Sequence, residues 1–311
     1  TAEWYANVYK QYATFMTDWT NSDKLYRIAS GASDADYHWT EVMMRDIPLK
    51  MFDALGLHHY SVIDWNKKGS ATGFTEKEYF ITMQRSLMME ELVTKHSAIM
   101  DKYDPQKTKA LAVDEWGGWY DVEPGTNEAF LYQQNTMRDA MIAGCNLNIF
   151  NNHCDRVKMA NLAQIINVLQ AVILTDEQKM ILTPTYHVME MYNVHQDAVM
   201  LPTSIISNDY VFGEEKLQAI WASASRDKAG RTHISLVNID ASKTQDVLVD
   251  IRGAKYKSVK GRILKSNKMQ DYNSFENPNN IVPVEYKDAK LSNDKLQVKL
   301  PPFSVVVLEL N

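Results

Sequence analysis

Cysteine is scarce: Cys145 and Cys154 are the 2 in 311 residues. They flank residues 146–151, which read as one strand, and nine residues at ~3.3 Å each set them about 30 Å apart, beyond disulfide reach. Two free thiols are expected. No second Cys or His pair stands at ligand spacing, so nothing supports a zinc site. No run of ~20 apolar residues is present, and no membrane-spanning helix is expected. No signal-peptide pattern opens the chain, an absence of little weight because the first residues read as an interior piece of a longer protein. Positive charge is not in excess: 33 Lys and Arg against 39 Asp and Glu give a net charge of −6. That is the wrong sign for a non-specific binder of nucleic-acid backbones. A neutral polar ligand such as a sugar suits this charge, which does not by itself select it. No Gly-rich phosphate loop follows any strand, no internal repeat is visible and no segment is of low complexity.

What is present is an ordinary globular composition, 45% apolar and 23% charged, in a length that accommodates two domains. Trp4, Tyr5, Val8, Tyr9, Tyr12, Phe15, Met16 and Trp19 fall at helical spacing and predict an opening helix with one apolar stripe. Strands and helices then alternate. Lys24 to Ala29 reads as a strand ending in Ser30-Gly31-Ala32-Ser33, Thr40 to Ile47 as a helix stopped by Pro48, and Phe52 to Tyr60 as a strand. Glu76 to Tyr103 reads as a long Met-rich helix, its methionines serving as core filler, and Ala110 to Trp116 as a strand. Asn127 to Gly144 reads as a helix, Asn146 to Asn151 as a fourth strand, and the residues after a cap at Asp155 as a last helix. Four apolar strands, each followed by a helix, fit half of a (β/α)8 TIM barrel, with an ordinary doubly wound sheet as the rival.

After about residue 195 short alternating runs take over: 219–222, 233–237, 247–251 and 304–308, separated by turns such as Arg252-Gly253 and Asn293-Asp294. This texture predicts an antiparallel β-sandwich of jelly-roll type. The domains expected are therefore 1–195, the C-terminal half of a barrel, and 196–311, the sandwich.

In such barrels chemistry sits at the carboxyl ends of the strands. Those ends here are Ser30-Gly31-Ala32-Ser33, His58-His59-Tyr60, Asp114-Glu115-Trp116 and Asn151-Asn152-His153. Glutamate, histidine, tyrosine, tryptophan and amides are the side chains of a sugar site: carboxylates do the covalent and acid–base work, and rings stack on sugar faces. Strand alternation puts Val113 and Glu115 on one face and Asp114 on the other. Glu115 is the catalytic candidate; a salt-bridged strand-end glutamate is the plainer alternative. Asp114 reads as a helix-facing or loop-bonding residue. His58 and Tyr60 share a face while His59 points away, and Tyr60 could donate its hydroxyl to Glu115; simple packing is the alternative for both. Trp119 is read as a pocket wall and Trp116 as packing. Gln164, placed in the last helix among apolar neighbours, is either a buried satisfied amide or a ligand contact.

Glycoside hydrolysis by the usual route needs a second carboxylate. No other strand end offers one, and Asp34, Asp36 and Asp64 lie out in loops. The chain is therefore expected to be part of a longer protein whose preceding portion holds the proton donor. Half a barrel also leaves open edges and apolar surface, which favours association with another chain, read here as a homo-oligomer.

Val113-Asp114-Glu115-Trp116-Gly117-Gly118-Trp119-Tyr120 resembles the nucleophile motif of the family 51 α-L-arabinofuranosidases. Residues 153–168 (HCDRVKMANLAQIINV) are similar to the family's last barrel helix, Gly56-Leu57-His58-His59-Tyr60 to its sixth strand, and Pro301-Pro302-Phe303-Ser304-Val305-Val306-Val307 to its closing strand. The resemblance covers essentially the whole chain. It implies a barrel followed by a sandwich, and retaining hydrolysis of terminal α-L-arabinofuranosyl groups on arabinan- or arabinoxylan-type chains. It implies Glu115 as nucleophile, Tyr60 bonded to it, and His58, Trp119 and Gln164 around the sugar, with no metal or organic cofactor. The family's acid/base glutamate lies in a Gly-Asn-Glu motif on its fourth strand; this sequence has no such motif, so the 311 residues alone are expected to be inactive. Two other readings stand beside it. One is an endo-acting glucanase or xylanase on the same barrel, which an open cleft around Glu115 favours. The other is a carbohydrate-binding or assembly module built on the sandwich, for which Trp221, the single Trp of 196–311, offers little.

Overall fold

The computed structural model describes residues 1–20, 24–292 and 295–311; the turn expected at Asn293-Asp294 lies outside them. It divides into two compact units, one of residues 1–60, 88–116 and 153–162, the other of 61–87, 117–152 and 163–311.

The first unit is built on a four-stranded sheet. Its strands are β1 (Ile28–Ser33), β2 (Ala54–Ser61), β3 (Ala110–Gly118) and β4 (Val157–Leu162), in the order β1-β2-β3-β4. β1 pairs with β2, and β3 with β4, in parallel. Spatial order follows chain order with no reversal, as in a barrel; a doubly wound sheet reverses at a switch point. The fold is the C-terminal half of a (β/α)8 barrel followed by an antiparallel β-sandwich.

Helix α1 (Ala2–Ala13) opens the chain, capped by the Thr1 hydroxyl. It is shorter than the apolar spacing predicts, and its buried residues are Ala2, Ala6, Tyr9 and Ala13, of which only Tyr9 belongs to the predicted stripe. Small residues at i, i+4 allow close packing on α2 (Tyr37–Asp46), whereas Trp4, Tyr12, Phe15 and Trp19 are exposed. β1 starts later than expected and includes the small residues Ser30-Gly31-Ala32-Ser33. Its pairing with β2 shifts register between Ala29 and Ala32. The backbone groups this frees at Ser30 are met by side chains: Ser30 N–H donates to the Tyr5 hydroxyl (2.8 Å), and Trp39 Nε1 donates to Ser30 O (3.0 Å). At the opposite end of the sheet Arg156, fully buried, pairs with Asp104 at 2.8 Å and donates to the carbonyls of Lys109 and Asp104. Burial pushes the Asp104 carboxyl up, but hydrogen bonds from Lys109 and Thr108 and the Arg156 guanidinium bring it below the usual range.

Helix α3 (Glu76–Tyr103) has the bounds the sequence predicts. Two neighbouring assignments do not hold. Residues 146–151, expected as the fourth strand, lie in α4 (Met137–Asn152), and the expected last helix is strand β4 followed by irregular chain. The reason is burial. Nearly every residue of α4 is buried, so its sequence shows no amphipathic period. Its asparagines mimic strand alternation, but Asn148, Asn151 and Asn152 bond to the strand Ile220–Arg226: Ser223 Oγ donates to Asn148 Oδ1 (2.7 Å), Asn151 Nδ2 donates to Ser223 Oγ (3.0 Å) and Asn152 Nδ2 to Ala222 O (2.9 Å). Both cysteines are free. The premise of a strand between them fails, since Cys145 sits on α4.

The second unit carries the sandwich. One antiparallel sheet orders Val284–Glu285, Val259–Leu264, Ser304–Leu310, Thr232–Asn238, Ile220–Arg226 and Val199–Leu201; the other orders Gln245–Asp250, Lys295–Leu300 and Ala289–Ser292. Between them pack Ile220, Ile234, Leu236, Leu296, Val298, Leu300, Val306 and Leu308. The hairpin of Ile173–Asp176 and Lys179–Leu182, ahead of α5 (Pro184–Tyr192), has no counterpart in the sequence reading. Among the described residues no helix is long and apolar enough to cross a membrane.

Candidate active site

Three of the five candidate side chains gather at the carboxyl ends of β2 and β3 in the first unit. The Tyr60 hydroxyl donates to Glu115 Oε1 through a short hydrogen bond. His58 Nδ1 lies 2.9 Å from Glu115 Oε2, so each carboxylate oxygen has its own partner. Burial, then the bond to Glu115 and its charge, push the Tyr60 phenol far above its ordinary range, so it stays a donor. Glu115 itself keeps 35% of its side chain exposed, so an incoming molecule can reach it. Oε1 accepts the Tyr60 bond and Oε2 keeps lone pairs for attack.

Asp114 joins this cluster, against the strand alternation that put it on the opposite face. Its Oδ1 accepts from Leu57 N (3.2 Å) and lies 3.3 Å from His58 Nε2. The cause is the irregular pairing of β3 with β4 between Val113 and Trp116, which turns two successive side chains toward β2. Neither a helix-facing nor a loop-bonding role describes Asp114, whose partners Leu57 and His58 lie on strand β2. His58 thus stands between two carboxylates. Gly56 makes room for this: a Cβ there would lie 2.9 Å from Asp114 Oδ1. Gly31 opposite is tighter still, its Cβ falling 1.5 Å from Gly56 O. His59 points away, buried and bonded to Asp34.

Trp119 and Gln164 belong to the second unit. Trp119 is half-buried, with Trp65 edge-on at 5.6 Å and Lys68 Nζ 5.7 Å from its ring centre. Trp65 was not singled out from the sequence; an aromatic five residues beyond Tyr60 was its only signal. Trp116, by contrast, is fully buried, in keeping with a packing role. Gln164 is not in a helix. It is exposed just beyond β4, after a cis Ala163–Gln164 peptide, so neither a helical position nor burial among apolar neighbours describes it. Main-chain bonds fix this stretch: Gln170 N–H to Ala163 O (3.1 Å) and Val172 N–H to Gln164 O (3.3 Å). Among the described residues no group of three or more His, Cys, Asp and Glu side chains is gathered to hold a metal ion.

Within the first unit, a partly exposed carboxylate held by a phenol and flanked by an imidazole has the chemistry of a glycosidase nucleophile. The family model described as "Alpha-L-arabinofuranosidase C-terminal domain" matches residues 114–304. The chain is 46% identical over 310 residues to a Bacteroides ovatus protein named intracellular exo-alpha-L-arabinofuranosidase, covering 99% of this chain and 60% of that protein. It is similar to the crystal structure of the GH51 arabinofuranosidase from Xanthomonas axonopodis pv. citri, with a TM-score of 0.98 at 46% identity, covering 100% of this chain and 63% of the other. A Paenibacillus polymyxa family 44 xyloglucanase shares the fold at a TM-score of 0.65 and 12% identity, so fold alone does not select a substrate. The chain thus spans about three fifths of the length of the relatives it matches. On the family model and the extent of the sequence match, this chain belongs to the family 51 α-L-arabinofuranosidases.

Proposed function

We propose that the protein carrying this chain is a retaining glycosidase that removes terminal non-reducing α-L-arabinofuranosyl groups from arabinan- or arabinoxylan-type chains, with Glu115 as its nucleophile. The observation that carries the proposal is the Glu115 carboxylate at the end of β3, held by Tyr60 and His58 yet accessible. The exo-acting arabinofuranosidase name of the Bacteroides ovatus relative supports the substrate class.

In the first step Glu115 attacks the anomeric carbon and forms a glycosyl ester while a second carboxylic acid protonates the departing oxygen. In the second step that same group, now a carboxylate, takes a proton from water, which releases arabinose with retained configuration. Tyr60 holds Glu115 aimed before attack. As the ester forms, the carboxylate loses its charge, and the bond from Tyr60 eases its departure in the second step. The proton donor is assigned to a Gly-Asn-Glu motif outside these 311 residues. Trp119 is assigned as a wall against the sugar and Gln164 as an amide contact to its hydroxyls. The division into 1–195 for the half-barrel and 196–311 for the sandwich, and assembly as a homo-oligomer, belong to the same proposal.

The test is hydrolysis of an aryl α-L-arabinofuranoside by the complete protein. Activity on that compound is expected, with loss in Glu115→Gln; activity on aryl glucosides or xylosides in its place contradicts the assignment.

A further inference from the structure

Trp119 is the proposed sugar wall, and the two peptides that flank it are held by buried side chains. Gly118 N–H donates to Gln170 Oε1 at 2.7 Å, and Gly118 O accepts from Gln133 Nε2 at 3.1 Å. On the other side, Tyr120 N–H donates to Gln133 Oε1 at 2.8 Å. Both glutamines are buried, Gln133 at 1% exposure and Gln170 at 0%. Gln170 is anchored in turn: its Nε2 donates to Asp139 O on α4 (2.8 Å) and to Thr185 Oγ1 on α5 (3.1 Å). Its side chain also closes over Gly117, where an added Cβ would come within 3.3 Å of Gln170 Oε1.

The chemistry explains why these anchors are amides. Gln170 must accept from Gly118 and donate twice to the helices, and Gln133 must accept from Tyr120 and donate to Gly118. A carboxylate only accepts and an apolar chain does neither. A buried Gly118 N–H without an acceptor finds no water to replace it, so the chain there must move.

We propose that Gln170, together with Gln133, is a positioning residue that sets Trp119 for sugar binding, transmitting the fixed geometry of α4 and α5 to the pocket wall. The proposal rests on the assignment of Trp119 as that wall. Displacing a binding group by about 1 Å costs on the order of 100-fold in rate, so Gln170→Met is expected to lower kcat/KM by about 10–100-fold. A side-chain substitution leaves the Gln170 main-chain bond to Ala163 O in place, so the effect reports on the Trp119 arm.

The experiment is a double-mutant cycle in the complete protein, measuring kcat/KM on an aryl α-L-arabinofuranoside for Gln170→Met, Trp119→Ala and the pair, with melting temperature in parallel. The expected result is that Gln170→Met costs 10-fold or more, at the scale of about 10–100-fold, in the native background and under about 3-fold once Trp119 is alanine. The melting shift it causes is expected to be the same in both backgrounds. Equal rate losses in both backgrounds, or no loss in either, overturn the proposal. If Gln170→Met does not accumulate as folded protein, Gln133→Met takes its place in the same cycle with the same criteria. If Trp119→Ala alone leaves kcat/KM unchanged, the assignment of Trp119 as the wall falls and this proposal with it. If Trp119→Ala is damaging but uncoupled, only the positioning role falls.

Discussion

Tyr60 gives its phenolic hydrogen to Glu115 Oε1, a bond that joins the ends of two adjacent strands, β2 and β3. The phenol stays protonated because burial and the carboxylate's charge both oppose its ionisation. Tyr60→Phe removes one hydroxyl and keeps the ring. In the complete protein kcat is expected to fall by about 10²-fold, the scale set by removing one preorganised donor. KM is expected to change little. Steady-state kinetics on an aryl arabinofuranoside check this; an unaltered kcat contradicts a role for Tyr60 in orienting Glu115.

The close approach of Gly31 and Gly56 makes a prediction about stability. A Cβ on Gly31 would stand 1.5 Å from Gly56 O, so the strands must separate. Gly31→Ala is expected to destabilise by at least the ~1–3 kcal/mol typical of overpacking. Denaturant unfolding reads this directly, and an unchanged midpoint contradicts the tight pairing of β1 with β2.

Acid sensitivity is expected from His195, whose ring nitrogens meet Ser225 Oγ (2.7 Å) and Ser235 Oγ (2.6 Å). Burial, reinforced by the nearby His233, pushes its imidazole down to about 4. A histidine in the unfolded chain titrates near ~6.5. Between those values the unfolded chain binds a proton that the folded one refuses. Stability therefore falls as pH drops from about 6.5 toward 4, and this group adds no pH dependence above that window. Melting temperatures at pH 7 and pH 5 are expected to differ less in His195→Gln than in the native protein; an equal difference contradicts the assignment.

Much of the fold was legible because local pattern and tertiary role coincide. Helix α3 is a long run that ends shortly before Pro105, and the sandwich strands alternate as half-buried strands do. Legibility failed where burial is complete. α4 is buried along nearly its whole length, so its asparagines imitate a strand, and the segment that follows, which reads as a helix, is strand β4. Within the site, Glu115, His58 and Tyr60 were legible from their places at strand ends. Asp114 was placed on the wrong face, because a local irregularity breaks the alternation on which faces are assigned. Gln133 and Gln170 left no signal, since single amides that bind backbone distant in sequence have no spacing of their own.

The proton donor is assigned outside these residues, which yields a prediction about the isolated chain. The 311-residue polypeptide is expected to show negligible turnover of an aryl α-L-arabinofuranoside under conditions where the complete protein is active. Robust turnover by the isolated chain contradicts the placement of the acid/base group.

The most direct measurement concerns Glu115 as a covalent nucleophile. In the complete protein Glu115→Ala is expected to reduce kcat by at least about 10³-fold, in line with the loss of other catalytic nucleophiles. Azide, small enough to enter the space left by the carboxylate, is expected to restore part of the rate on an aryl α-L-arabinofuranoside and to yield the β-configured arabinofuranosyl azide, inverted by a single displacement. An undiminished rate in Glu115→Ala, or an α-configured azide product, contradicts Glu115 as the nucleophile.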